Sequence, residues 1–189
     1  MSAFKRRAIL ALMISGAMLA CADSPNQVAA VPRPGQFSTQ DYKLLAKAVH
    51  GSEMEFIFGE IGNEKSTDPS VKTFTHHILE DRQKTNDALK QLIKQKGATA
   101  PESVYTNDTR LLAQLNTLTG PAFDKGYMDA MVQEYQSAIK DLQAVSAAAN
   151  DGDLLAWVNQ TVPVWQEHLQ MARNTDAAVA NANPAGGNG

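Results

Sequence analysis

Glu55, Asp81, Glu134 and His168 each interrupt a line of residues that is otherwise apolar or small at steps of three and four. Carboxylates and an imidazole converging from four helices are the donors with which non-haem dimetal bundles hold iron or manganese. The hard carboxylate oxygens neutralise the cations and histidine completes the coordination sphere. The usual arrangement also places a Glu-x-x-His pair on each of two helices. Here His76 and His77 precede Glu80 and Asp81, and His168 has Val164 and Trp165 upstream where a Glu should stand. Each acid can equally be a boundary residue with a solvated head. His168 is open between a metal ligand and a core imidazole bonded to a neighbour, while His76 and His77 read as exposed or capping residues. Tyr135, Trp157 and Trp165 read as core aromatics. Met128, Met131 and Met171 read as gap-fillers, because a soft-metal site needs clustered sulfur or imidazole donors.

The elements that would position these residues are helices, since no stretch alternates with a period of two. Ser38 or Thr39 opens the first, which runs to about Lys65 with a seam of Leu45, Ala48, Ser52, Glu55, Gly59 and Gly62. Gly51, Gly59 and Gly62 each cost about 1 kcal/mol of helix propensity, so close packing must compensate. Asp68 and Pro69 start the second helix, which stops at Gly97; its stripe is Val71, Phe74, Ile78, Asp81, Thr85, Ala88 and Leu92. A short helix follows over Asn107 to Leu118. The next, from Ala122 to about Ala149, buries Phe123, Tyr127, Ala130 or Met131, Glu134, Ala138 and Val145. The last, from about Leu154 to Val179, aligns Leu154, Val158, Thr161, Trp165, His168, Ala172 and Thr175, with a kink or fresh start expected at Pro163. The fold class is therefore all-α: a ferritin-like up-down four-helix bundle with an additional short helix in its longer, crossing connection.

The chain has 189 residues, enough for one core with flanking segments. Lys5, Arg6 and Arg7 precede a short apolar run from Ala8 to Leu19 and small residues around Cys21, the pattern of an export signal over residues 1–20. "MLAC" resembles a lipobox, which makes Cys21 a lipidation site and the membrane a partner through that anchor. Ala20-Cys21-Ala22 also suits ordinary signal cleavage, which would leave a free periplasmic protein. The only cysteine standing at this spot favours the anchor. Loss of three basic residues with the leader takes the formal charge from −3 to −6, so nucleic acid is not expected as a partner. Residues 21–37, with Pro25, Pro32, Pro34 and Gly35, read as a flexible tether, residues 38–180 as the bundle and residues 181–189 as a disordered tail.

The stretches "HGSEMEFIFGEIGNEKSTDPSVKTFTHHILEDRQKTNDALKQL", "LTGPAFDKGYMDAMVQEYQSAIKDLQ" and "TVPVWQEHLQMAR" resemble the exported ferritin-like family DUF4142 over nearly all of residues 40–175. The resemblance implies a helical bundle in the bacterial periplasm or outer membrane. Its pattern is Asp-His in the second helix, Asp-His-Gln in the fourth, and Leu-Pro followed by a histidine in the last. This chain keeps Asp81 but has Arg82 for the first histidine. Glu134 and Gln136 stand where the second motif has Asp and Gln, with Tyr135 for its histidine. Val162-Pro163 and His168 keep the third. The implied metal site is thus a relic in which Arg82 and Tyr135 join a buried polar network, Arg82 replacing the lost cation and Glu134 pairing with Arg82, Tyr135 or His168.

Three functions are consistent with these residues. The first is a non-catalytic, lipid-anchored envelope protein with no cofactor, acting in stress tolerance or on an unidentified envelope protein partner. The second is an iron- or manganese-binding periplasmic protein or oxidase using Glu55, Asp81, Glu134 and His168. The third is a carrier for a small apolar ligand. Hydrolase and phosphate-loop chemistry have no motif to support them.

Overall fold

The computed structural model describes residues 35–101 and 108–182, which form α1 (Thr39–Lys65), α2 (Pro69–Gln95), α3 (Asp108–Thr117), α4 (Gly120–Ala148) and α5 (Gly152–Ala182). The export signal, Cys21, nearly all of the tether and residues 183–189 lie outside the described residues. Local chemistry sets the helix ends. Ser38 caps α1 by accepting the Asp41 N–H at 3.0 Å. The Asp68 carboxylate accepts from the N–H groups of Ser70 and Val71 behind Pro69, while Asp151 does the same for Asp153 and Leu154 at the start of α5. Gly97 and Gly120 take positive φ at the two ends of the connection between α2 and α4.

Side-chain ties fix the topology. At one end the buried Asp41 of α1 accepts from the backbone N–H of Asn150 at 2.7 Å, and Lys96, just past α2, bonds Asp151 at 2.6 Å. At the other end Ser66, just past α1, donates to Asp124 of α4 at 2.5 Å, and Lys125 of α4 meets Asp176 of α5 at 3.2 Å. α4 therefore begins at the end opposite to the one where α2 stops, and the order is up, down, down, up, as in ferritin-like bundles with one long crossover. α1 packs on α2 and α4, and α5 packs on α2 and α4. Burial pushes the Asp41 carboxyl up, but the Ser38 hydroxyl and the Asn150 and Asp151 N–H groups outweigh it and hold it below the usual range. This tie thus contributes above the carboxylate's unfolded pKa and weakens as pH falls through its lower folded value.

The core is one continuous cluster around Phe58, Phe74, Phe123, Tyr127 and Trp165. All six seam residues expected on α1 are buried. Two other seams rotate. On α2 the stripe passes to Leu89 and Ile93, leaving Ala88 exposed, and on α4 it passes from Met131 to Tyr135, Ile139 and Leu142, leaving Glu134 and Ala138 half-buried. A 3.6-residue period permits a step of three or of four, and from Met131 the bulky aromatic at the step of four takes the interior. α5 also continues through Pro163 without a fresh start, and it reaches Ala182, two residues beyond the expected bundle end. Pro163 is exposed, so the carbonyl it leaves unbonded one turn earlier, that of the exposed Asn159, can be solvated.

Glycine serves α1 through space. A Cβ at Gly62 would stand 2.4 Å from the Tyr127 ring and 2.5 Å from Thr75, and one at Gly51 would stand 2.7 Å from Trp165. These glycines let α4, α2 and α5 side chains lie directly against the α1 backbone. Gly62→Ala should therefore destabilise the protein by about 1–3 kcal/mol in urea unfolding, overcrowding outweighing a propensity gain of about 1 kcal/mol. An alanine variant as stable as the parent would contradict this packing.

Candidate functional site

α1, α4 and α5 each send one polar side chain to a common point. Glu55 on α1 is buried, and its Oε1 accepts the Tyr135 hydroxyl of α4 at 2.8 Å. Nδ1 of His168 on α5 lies 2.8 Å from the same oxygen and 3.2 Å from the Tyr135 hydroxyl. Burial pushes the Tyr135 phenol far up, and the Glu55 charge pushes it further, so the hydroxyl keeps its proton and donates. With Tyr135 donating to Oε1, Nδ1 of His168 supplies the second proton to that oxygen. Glu55 Oε2 is buried without a hydrogen bond among the described residues.

α2 adds Asp81 at the edge of this triad. Its Oδ2 lies 3.5 Å from His168 Nε2 and 3.3 Å from His77 Nε2, while Lys84 bonds its Oδ1 at 3.0 Å. The Lys84 hydrogen bond is the main cause holding the Asp81 carboxyl below its ordinary value; desolvation opposes it, and His168 and His77 assist. His168 Nε2 is buried and has no partner in hydrogen-bond geometry among the described residues. Since Nδ1 holds a proton toward Glu55, a neutral His168 would point the Nε2 lone pair toward the Asp81 carboxylate. Two facing acceptors repel, so this gap suits a cation.

The structure thus gathers Glu55, Asp81, Tyr135 and His168 and places the other two expected residues elsewhere. Arg82 donates from Nε to the Ser52 carbonyl at 3.2 Å and lays its guanidinium 4.0 Å from the Phe56 ring centroid. It supplies positive charge near Glu55 and makes no hydrogen bond to that carboxylate, so it is not the fork that grips the buried acids. Burial lowers its pKa, and Glu55, Glu53, Glu60 and Asp87 oppose that shift. Glu134 is half-buried and lines a cleft of about 340 Å³ with Lys47, His50, Glu55 and Tyr135. Tyr135 occupies the inward position expected of it.

Sequence reasoning missed His77, read as exposed or capping. Its ring lies edge-on to His168 at 5.8 Å between centroids. Spacing was the available signal: His77 and Asp81 are four apart, so an inward Asp81 brings His77 onto the same face. The donor set does not fit a dimetal centre, which calls for more carboxylates and a Glu-x-x-His pair on each of two helices. Glu55 is the inward acid from α1, Tyr135 stands at the α4 position, and α2 offers its histidine before its acid.

The two tyrosines of α4 give a paired test. Tyr135→Phe removes a donor to a buried carboxylate and should cost about 1.5–3 kcal/mol in denaturant unfolding. Tyr127→Phe should cost nothing measurable, because the Tyr127 hydroxyl is buried without a hydrogen-bond partner among the described residues. Equal losses in the two variants would contradict the role given to the Tyr135 hydroxyl.

The family model described as a domain of unknown function, DUF4142, matches residues 26–175, and the chain belongs to that family. No curated protein and no solved structure matches it significantly.

Proposed function

We propose that this member of the DUF4142 family is an exported, lipid-anchored helical-bundle protein of the bacterial envelope that acts by binding and not by oxidation chemistry. The leader pattern and Cys21 support export and anchoring. The hydrogen bond from Tyr135 to Glu55 carries the rest. A dimetal oxidase needs its interior carboxylates free to take cations. Here Oε1 of Glu55 is engaged by a phenol that holds its proton and by an imidazole, and a carboxylate so bonded serves to tie helices together.

The oxidase reading would require that network to open and Glu134 to turn inward from its cleft. The carrier reading has a place in the same cleft, where Met54, Phe58, Met131 and Trp165 supply apolar wall. Lys47 and Asp141, paired at 2.5 Å, and Glu55 and Glu134 also line it, so it is a poor match for an apolar ligand and is set aside.

Purified protein mixed with Fe(II) and then exposed to air should consume no oxygen beyond a protein-free control. In cells it should fractionate with membranes, and Cys21→Ser should release it. Stoichiometric iron oxidation abolished by Glu55→Gln would sink the non-oxidase reading, and a parent protein found wholly in the soluble fraction would sink the anchor.

A further inference from the structure

His77, Asp81 and His168 hold their ligating atoms within 4.8 Å of one another across α2 and α5. We propose that these three side chains form a mononuclear site for a divalent transition ion of the zinc type, sharing His168 with the hydrogen-bonded centre. Two of the three donor separations already suit it, and the third, between the two imidazoles, lies within 4.8 Å. A tetrahedral ion with ligand bonds near 2.0–2.2 Å keeps its donors roughly 3.3–3.5 Å apart. Nε2 of His77 and Nε2 of His168 stand 3.3 and 3.5 Å from Oδ2 of Asp81. Two imidazoles and one carboxylate are the donors that borderline divalent ions prefer over magnesium or calcium, which take oxygen.

The surroundings prepare two of the three ligands. Glu55 receives the Nδ1 proton of His168, which turns the Nε2 lone pair toward Asp81, and a carboxylate behind a histidine is the common outer support of zinc ligands. Lys84 occupies Oδ1 of Asp81 and leaves Oδ2 to the ion. The buried Nε2 of His168, without a hydrogen bond, is the group that an ion would satisfy. Side-chain exposure rises from 1% at His168 to 28% at Asp81 and 45% at His77, so one flank of the ion would face water and keep an exchangeable position. Glu55 and Tyr135 thus act as positioning residues, and Glu134 takes no part.

The test is a titration of the chelator-stripped, full-length protein with zinc alone, read by calorimetry and by competition with a chromophoric chelator. The parent should bind one equivalent. His77→Ala should weaken binding by more than about 100-fold, since even outer-shell changes commonly cost 10–100-fold. Because the His77 ring is half-exposed, that variant should melt, in chelator, at the parent's temperature. His168→Gln can unfold the protein, so Asp81→Asn serves as the second ligand variant and should lose binding as well. Absence of zinc binding by the parent, parental affinity in His77→Ala, or two equivalents of zinc that depend on Glu134 would each overturn the assignment.

Discussion

A carboxylate in a helical interior must be matched or it destabilises everything around it, and Glu55 sets that condition here. Its two partners come from α4 and α5, so three of the four long helices must hold register to within a hydrogen bond. The glycines of α1 permit it. They let Trp165 and Tyr127 lie close enough for Tyr135 and His168, on the same two helices, to reach the acid. The polar centre and the tight packing are thus one arrangement seen from two sides.

The phenol at position 135 sets the acid–base character of that centre. A phenol at this depth stays neutral and offers one proton, so with His168 it binds a single carboxylate oxygen and adds no charge of its own. Arg82 brings a permanent charge to α2, but its long side chain settles over Phe56 and against the Ser52 carbonyl. The two side chains therefore differ: one closes the interior network, and the other supports the α1–α2 surface.

Much of the fold was legible because caps and periodicity speak directly. Ser38, Asp68 and Pro69 marked helix starts, and the small-residue seam of α1 identified its buried face through Glu55 and Gly62. The site was less legible because one residue of rotation exchanges neighbours on a helix. Glu134 and Tyr135 are adjacent in sequence, and only packing against α1 and α5 decides which turns inward. His77 was obscured for a related reason. Its partner Asp81 was visible on the seam, but the approach of His168 depends on how α5 crosses α2, which no spacing within either helix records.

The up, down, down, up order of the long helices also has an electrostatic consequence. Because α4 begins at the end opposite to the one where α2 stops, each long helix lies beside two neighbours of opposite direction. The partial positive charge at each helix start therefore sits next to partial negative charges at neighbouring helix ends. Each end of the bundle carries two of each sign, and the four macrodipoles largely cancel. The interior around Glu55 is left with little net field along the bundle axis, so the side chains that face that acid, and not the backbone, govern its charge balance.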